Sequence, residues 1–185
     1  MGSCLLTYTR GTLSHIPLWH WAVMGIMALL VAFLFRKRCS AYGAVFLGLM
    51  VFAGLFLIET AVLLRYIGIL PHGSGVNFHL SCSIFHGSIY SRAEDISNIA
   101  VFVPFGFFLS EFLASKKQFN AGRRIGLGTL VAFGFSLCIE CLQFILQVGY
   151  FELTDLVMNT AGAFVGAGLS LLARAVFVSK KSTVL

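Results

Sequence analysis

Residues 136–166, SLCIECLQFILQVGYFELTDLVMNTAGAFVG, set Glu140, Gln143, Asp155 and Asn159 into otherwise apolar sequence. Carboxyl and amide side chains are costly inside a bilayer, and where they occur they mark places that bind a ligand or handle protons. Ser136, Glu140, Gln143 and Gln147 follow one another at intervals of four, three and four, the spacing of one helical face. Such a stripe has to turn toward protein or water, because hydrocarbon offers its polar groups no partners. Gln143 both donates and accepts, so it could hold Glu140 in one rotamer while both meet a ligand. An interhelical packing network is the alternative reading of the same residues. Asp155 and Asn159, four apart, share a side with Gly162 and Gly166, which are small enough to let a neighbouring helix approach. Asp155 also suits the positive end of a helix. A third polar set, Arg92, Glu94, Asp95 and Asn98, precedes another apolar run, with Asp95 a candidate N-cap.

The elements that position these residues are membrane helices. Of 185 residues 58% are hydrophobic and only 11% charged, and mean hydropathy is +0.92. A soluble domain carries about a quarter charged residues. The pattern predicts an all-α fold, a polytopic membrane helical bundle of about five transmembrane helices. Apolar runs place the spans near 16–35, 41–64, 96–114, 125–148 and 155–178. Their grouping gives an N-terminal segment 1–15, a two-helix unit 16–64, a loop 65–95, a three-helix core 96–178 and a tail 179–185. Pro104 lies mid-span and predicts a kink, while Glu111, close in sequence to Lys116 and Lys117, reads as an interfacial residue.

Charge sets the orientation. Arg36-Lys37-Arg38 comes after the first run rather than before it, which argues for an uncleaved helix instead of a signal peptide. Placing that cluster, the 116–124 loop and the C-terminus inside puts ten of 13 basic residues on the cytoplasmic side, so the expected topology is N-out and C-in. Glu59, Glu94, Asp95, Glu140, Glu152 and Asp155 then fall in the outer half. The net charge of +6 is spent on topology, which argues against nucleic acid as a partner.

No metal or cofactor is expected. His72, His79 and His86 recur every seven residues with Cys82 between the last two, but no further ligand frames a zinc site, and unrelated loop histidines are the simpler reading. Cys39, Cys138 and Cys141 sit in or beside apolar runs as small hydrophobes. Cys4 and Cys82 both face outside on this topology, and their pairing stays open.

Asp95-x-x-Asn98, Phe102-x-Pro104-x-Gly106, Glu140-x-x-Gln143 and Asp155-x-x-x-Asn159-x-x-Gly162, in this order across three spans, resemble the VanZ-like family over residues 91–168. The family is named for an accessory protein associated with low-level resistance to the glycopeptide teicoplanin. The resemblance implies a multi-pass protein of the bacterial plasma membrane, part of the cell envelope. It also implies that Asp95, Asn98, Glu140, Gln143, Asp155 and Asn159 form the ligand-binding set. Many members carry an Arg shortly before the acidic turn, where this chain has Gly149-Tyr150-Phe151-Glu152.

Two functions from different classes fit these residues. The first is a non-catalytic protein that binds an amphipathic or lipid-linked molecule at the outer leaflet, with lipoglycopeptides and envelope lipid intermediates as the ligand class the resemblance implies. The alternative is an intramembrane enzyme on a lipid-linked substrate, with Glu140 and Asp155 as an acid–base pair; no nucleophile–base pair and no His on these spans supports it. A transporter lacks the internal repeat expected of one, and a partner subunit would be recognised by copurification. Oligomeric state is open.

Overall fold

The computed structural model describes residues 16–68, 73–80, 84, 87–116 and 118–182, with side chains as far as residue 176. Cys4, His72, Cys82 and His86 lie outside the described residues. Among the described residues five long helices succeed one another: α1 (Leu18–Phe35), α2 (Ala41–Tyr66), α3 (Ile89–Ala114), α4 (Ala121–Ile145) and α5 (Leu153–Ser182). All five are long and apolar enough to cross a membrane. Two three-residue strands, β1 (Gly75–Asn77) and β2 (Tyr150–Glu152), pair in parallel with Val76 opposite Phe151. They tie the α2–α3 connection to the α4–α5 turn. We call this the strand end of the bundle, and the opposite end, with Arg36, Lys37, Arg38 and Arg123, the basic end.

Side-chain caps set three helix starts. Ser40 accepts from the Gly43 amide at 3.1 Å, Ser88 from Ser91 at 3.2 Å, and Asn120 from Arg123 at 2.9 Å. Ser88, and not Asp95, therefore opens α3. The helix starts seven residues before the apolar run, and Asp95 lies buried within it. Asn120 likewise draws Arg123 and Arg124 into α4. Pro104 stays inside one uninterrupted helix.

At its other end α4 stops in a Schellman turn. Gln147 takes a left-handed φ of 57°, its amide bonds Phe144 O at 3.1 Å, and the Val148 amide bonds Gln143 O at 2.9 Å. Gln147 is thus past the helix end and exposed, outside the polar stripe that its spacing suggested. Val148, at the next position, is buried in the core.

The tightest interface joins α3 to α5. A methyl group built on Gly162 would collide with Ile99 O, one on Gly166 with Val103 O, and one on Gly106 with Ala163 O. Further along, Ser170 meets Ser110 and Arg174 meets Glu111. The partners advance in the same direction, so the two helices run parallel with backbones in contact. In a bilayer, where apolar burial does little to join helices, this close approach supplies the attraction. Around the seam, Phe105 stacks on Phe135 of α4 with ring centroids 5.0 Å apart, and Ala53, Leu57, Phe102, Leu109 and Ile139 complete the core. Leu18, Leu29, Phe33, Leu130, Ile145 and Leu172 point outward, as hydrocarbon-facing residues should.

Candidate functional site

At the strand end the bundle gathers carboxyl groups from α3, α4, β2 and α5. Glu140, 2% exposed, accepts a hydrogen bond from the Glu152 backbone amide at 3.0 Å, which fastens α4 to the acidic turn. Asp155, half-buried in the first turn of α5, lies within electrostatic reach of Glu140, Glu152, Glu94 and the Arg65 guanidinium. Glu94 in turn feels Glu152, Arg65 and Asp95. Five carboxyls and two arginines, Arg65 and Arg92, from four helices and a strand thus share one end of the molecule. Asp95 is buried, and Asn98 holds its amide nitrogen out of solvent with no hydrogen-bond partner among the described residues. Such a group usually has a partner, whereas Asn98 is a donor without an acceptor among the described residues.

The other two predicted residues are engaged in packing. Asn159 donates to Ser136 Oγ at 2.9 Å, a buried bond between α5 and α4. Gln143 does not hold Glu140. Its amide nitrogen donates across the bundle to the Ala61 carbonyl at 3.0 Å. The reason lies in α2, where Glu59–Leu63 form a π turn. The extra residue disturbs the i to i−4 ladder and leaves carbonyls seeking donors. Gln143 satisfies one of them. Replacing it with Leu should lower stability by about 1 kcal/mol, read as an earlier melting transition in mild detergent. An unchanged melt would show that the π turn needs no donor from α4.

Arg65 was not anticipated as a site residue. An inserted residue rotates the remainder of the helix by ~100° about its axis, and Arg65, just past the π turn, projects to the α4–β2 connection. A methyl group on Gly149 would sit 3.1 Å from Arg65 Nη1 and 3.1 Å from Gln143 Cβ. Gly149, in the turn before the acidic residues, is therefore flanked by a guanidinium from α2. Glu59, the first residue of the π turn, binds His20 Nδ1 of α1.

A second polar centre, at the basic end, escaped sequence reading. Glu111, read as interfacial, is 2% exposed. It accepts from Arg174 Nη2 at 2.6 Å, from Ser170 Oγ at 2.6 Å and from the Tyr42 hydroxyl. Arg124 completes it with Nη2 at 3.1 Å from Ser110 Oγ and 2.9 Å from Ser170 Oγ, while its Nε reaches the Ser110 carbonyl at 3.2 Å. Four helices meet on these bonds. The signal was present in Ser170 and Arg174, one turn apart on α5, but their partners lie 59 to 63 residues away.

Among the described residues no three His, Cys, Asp or Glu side chains are grouped to hold a metal ion. The strand end can accept hydrogen bonds and pair with cations through its carboxyls, and it can meet an anion at Arg65.

A profile of the VanZ/LLP1 family matches residues 60–174, from the π turn of α2 to Arg174 of the basic centre. Protein VanZ of Enterococcus faecium is 35% identical over 80 residues, covering 41% of this chain and 43% of that protein, less than half its length. No solved structure matches. The profile spans α3 and α4 whole, α5 as far as Arg174, and more than half of the chain. The chain belongs to the VanZ/LLP1 family.

Proposed function

We propose that this protein binds an amphipathic or lipid-linked envelope molecule at the outer leaflet of the bacterial plasma membrane. The strand end faces outside, as the positive-inside rule requires. The observation that carries the reading is an outward-facing apolar groove between α4 and α5. It comprises two overlapping cavities of about 350 and 420 Å³ sharing Thr129, Phe133, Thr160 and Phe164. Its lining includes Leu156 and Val157, the two residues directly after Asp155. A headgroup at Glu140, Asp155, Asp95 and Asn98 would leave its chain at the groove mouth, with Gln143 and Asn159 positioning the helices around it. The size is that of small-molecule sites. The family's link to teicoplanin extends the ligand class to lipoglycopeptides and to the envelope lipids they recognise, and with it a role in glycopeptide resistance.

Lipid-resolved mass spectrometry of the gently purified protein tests this. The wild type should carry one dominant amphiphile, and Glu140→Gln should lose most of it while still inserting and melting as a folded protein. Equal amphiphile content in both would defeat the reading. Turnover of purified envelope lipids, abolished by the same substitution, would instead favour Glu140 and Asp155 as an acid–base pair.

A further inference from the structure

We propose that Arg65 is the anion-recognising residue of this site and that its ligand carries a zwitterionic headgroup, whose anionic oxygens meet the guanidinium while its ammonium meets the carboxyls of Glu94, Glu140 and Asp155. This rests on the binding function proposed above and narrows its ligand class.

Three observations support it. First, among the described residues no carboxylate lies within 4.0 Å of Arg65, although the ion pairs of the bundle that do close involve His20, Arg124 and Arg174. Arg65 nonetheless acts electrostatically on Glu94, Glu140 and Asp155 together. It is separated from all three by more than a contact distance, and it is half-buried. A guanidinium left without a direct partner in such a setting favours an anion with oxygens it can bind in a fork. Second, Arg65 is closely placed: it follows the π turn, and a methyl group on the buried Gly149 would sit 3.1 Å from its Nη1. Third, the Asn98 amide nitrogen is buried without a partner three residues after Asp95, a neutral donor suited to the same oxygens.

Charge then selects the headgroup. A purely anionic amphiphile would face five carboxyls that outnumber Arg65 and Arg92, the latter with its Nε taken by the Gly87 carbonyl, and a purely cationic one would leave Arg65 unpaired. A headgroup with both signs satisfies both, so rejection of the others comes from repulsion as well as attraction. At the C-terminal end of α2 an arginine also suits the helix dipole, but that role is indifferent to ligand charge and predicts no such selection.

The experiment measures retention of four probes by the full-length protein in mixed micelles. They are dioleoylphosphatidylethanolamine, dioleoylphosphatidylglycerol, dioleoyltrimethylammonium-propane and Nα-palmitoyl-lysine, whose headgroups are zwitterionic through phosphate, anionic, cationic and zwitterionic through carboxylate. Wild type should retain a zwitterionic probe about tenfold better than the anionic or cationic one; which of the two is held distinguishes phosphate from carboxylate. Arg65→Gln should lose that preference and gain in retention of the cationic probe, and Arg65→Lys should restore part of it. A wild type that prefers the anionic or cationic probe overturns the proposal whatever the variants do. If Arg65→Gln matches wild type while Glu140→Gln loses its amphiphile, Arg65 has no such role and the binding function stands. If wild type retains no probe and carries no amphiphile, both fall together.

Discussion

Glu111→Ala should be among the most damaging single changes in this protein, lowering its stability by about 3–5 kcal/mol. The substitution removes the acceptor of hydrogen bonds from Tyr42, Ser170 and Arg174 and leaves two arginines without their shared carboxylate. They are not equally affected. Arg174, 35% exposed, can swing its head toward the interface. Arg124, at 8%, cannot, and would keep only the Ser110 and Ser170 oxygens. Most of the loss should therefore come from Arg124. Thermal melting in detergent should show Glu111→Ala/Arg124→Leu more stable than Glu111→Ala alone, with Glu111→Gln between wild type and Ala. A single variant that melts with wild type would mean that these bonds are replaced by water at no cost.

The second large effect concerns a residue with no side chain. Gly162→Ala and Gly166→Ala should each destabilise by about 1–3 kcal/mol, because the added methyl meets backbone carbonyls of Ile99 and Val103, which cannot rotate away. The two losses should not add. Once one methyl has pushed α3 and α5 apart, the second enters a gap already made, so the double variant should lose less than the sum. Gly126→Ala and Gly168→Ala provide the contrast. Nothing lies within 4 Å of the new methyl at either, and alanine is the better helix former by about 1 kcal/mol, so these variants should be neutral or slightly more stable. Equal effects at seam and non-seam glycines would contradict the backbone contact between α3 and α5.

Hydropathy made the five helices legible, since a run long enough to span a bilayer needs no partner to be recognised. Helix ends were harder to read. Asp95 has the right chemistry for a cap, yet Ser88 takes the role because polar residues can extend a helix beyond its apolar stretch. Gln147 keeps the helical interval after the helix has stopped, and a left-handed turn at a residue other than glycine leaves no mark in the sequence. For the site, periodicity placed Ser136, Glu140 and Gln143 on one face, but it could not assign partners. Each bonds to a different element: Asn159, the Glu152 amide and the Ala61 carbonyl. The π turn that frees Ala61 and redirects Arg65 depends on packing between distant segments. Glu111 was underestimated for the same reason, since closeness in sequence to Lys116 suggested an interface while its real partners lie on three other helices.

The seam between α3 and α5 also constrains the order in which the protein can be made. These helices are the first and last of the three in the family-matched segment, and α4 separates them in sequence. While the ribosome has delivered only α3 and α4, Glu111 and Arg124 are in the bilayer without Ser170 and Arg174, and Gly106 has nothing to lie against. The chain must carry these costs until α5 is released from the insertion machinery. Arrival of α5 then closes the seam and completes the basic centre in one step. A nascent chain stalled before that point would present its least lipid-compatible residues to the membrane's quality-control proteases.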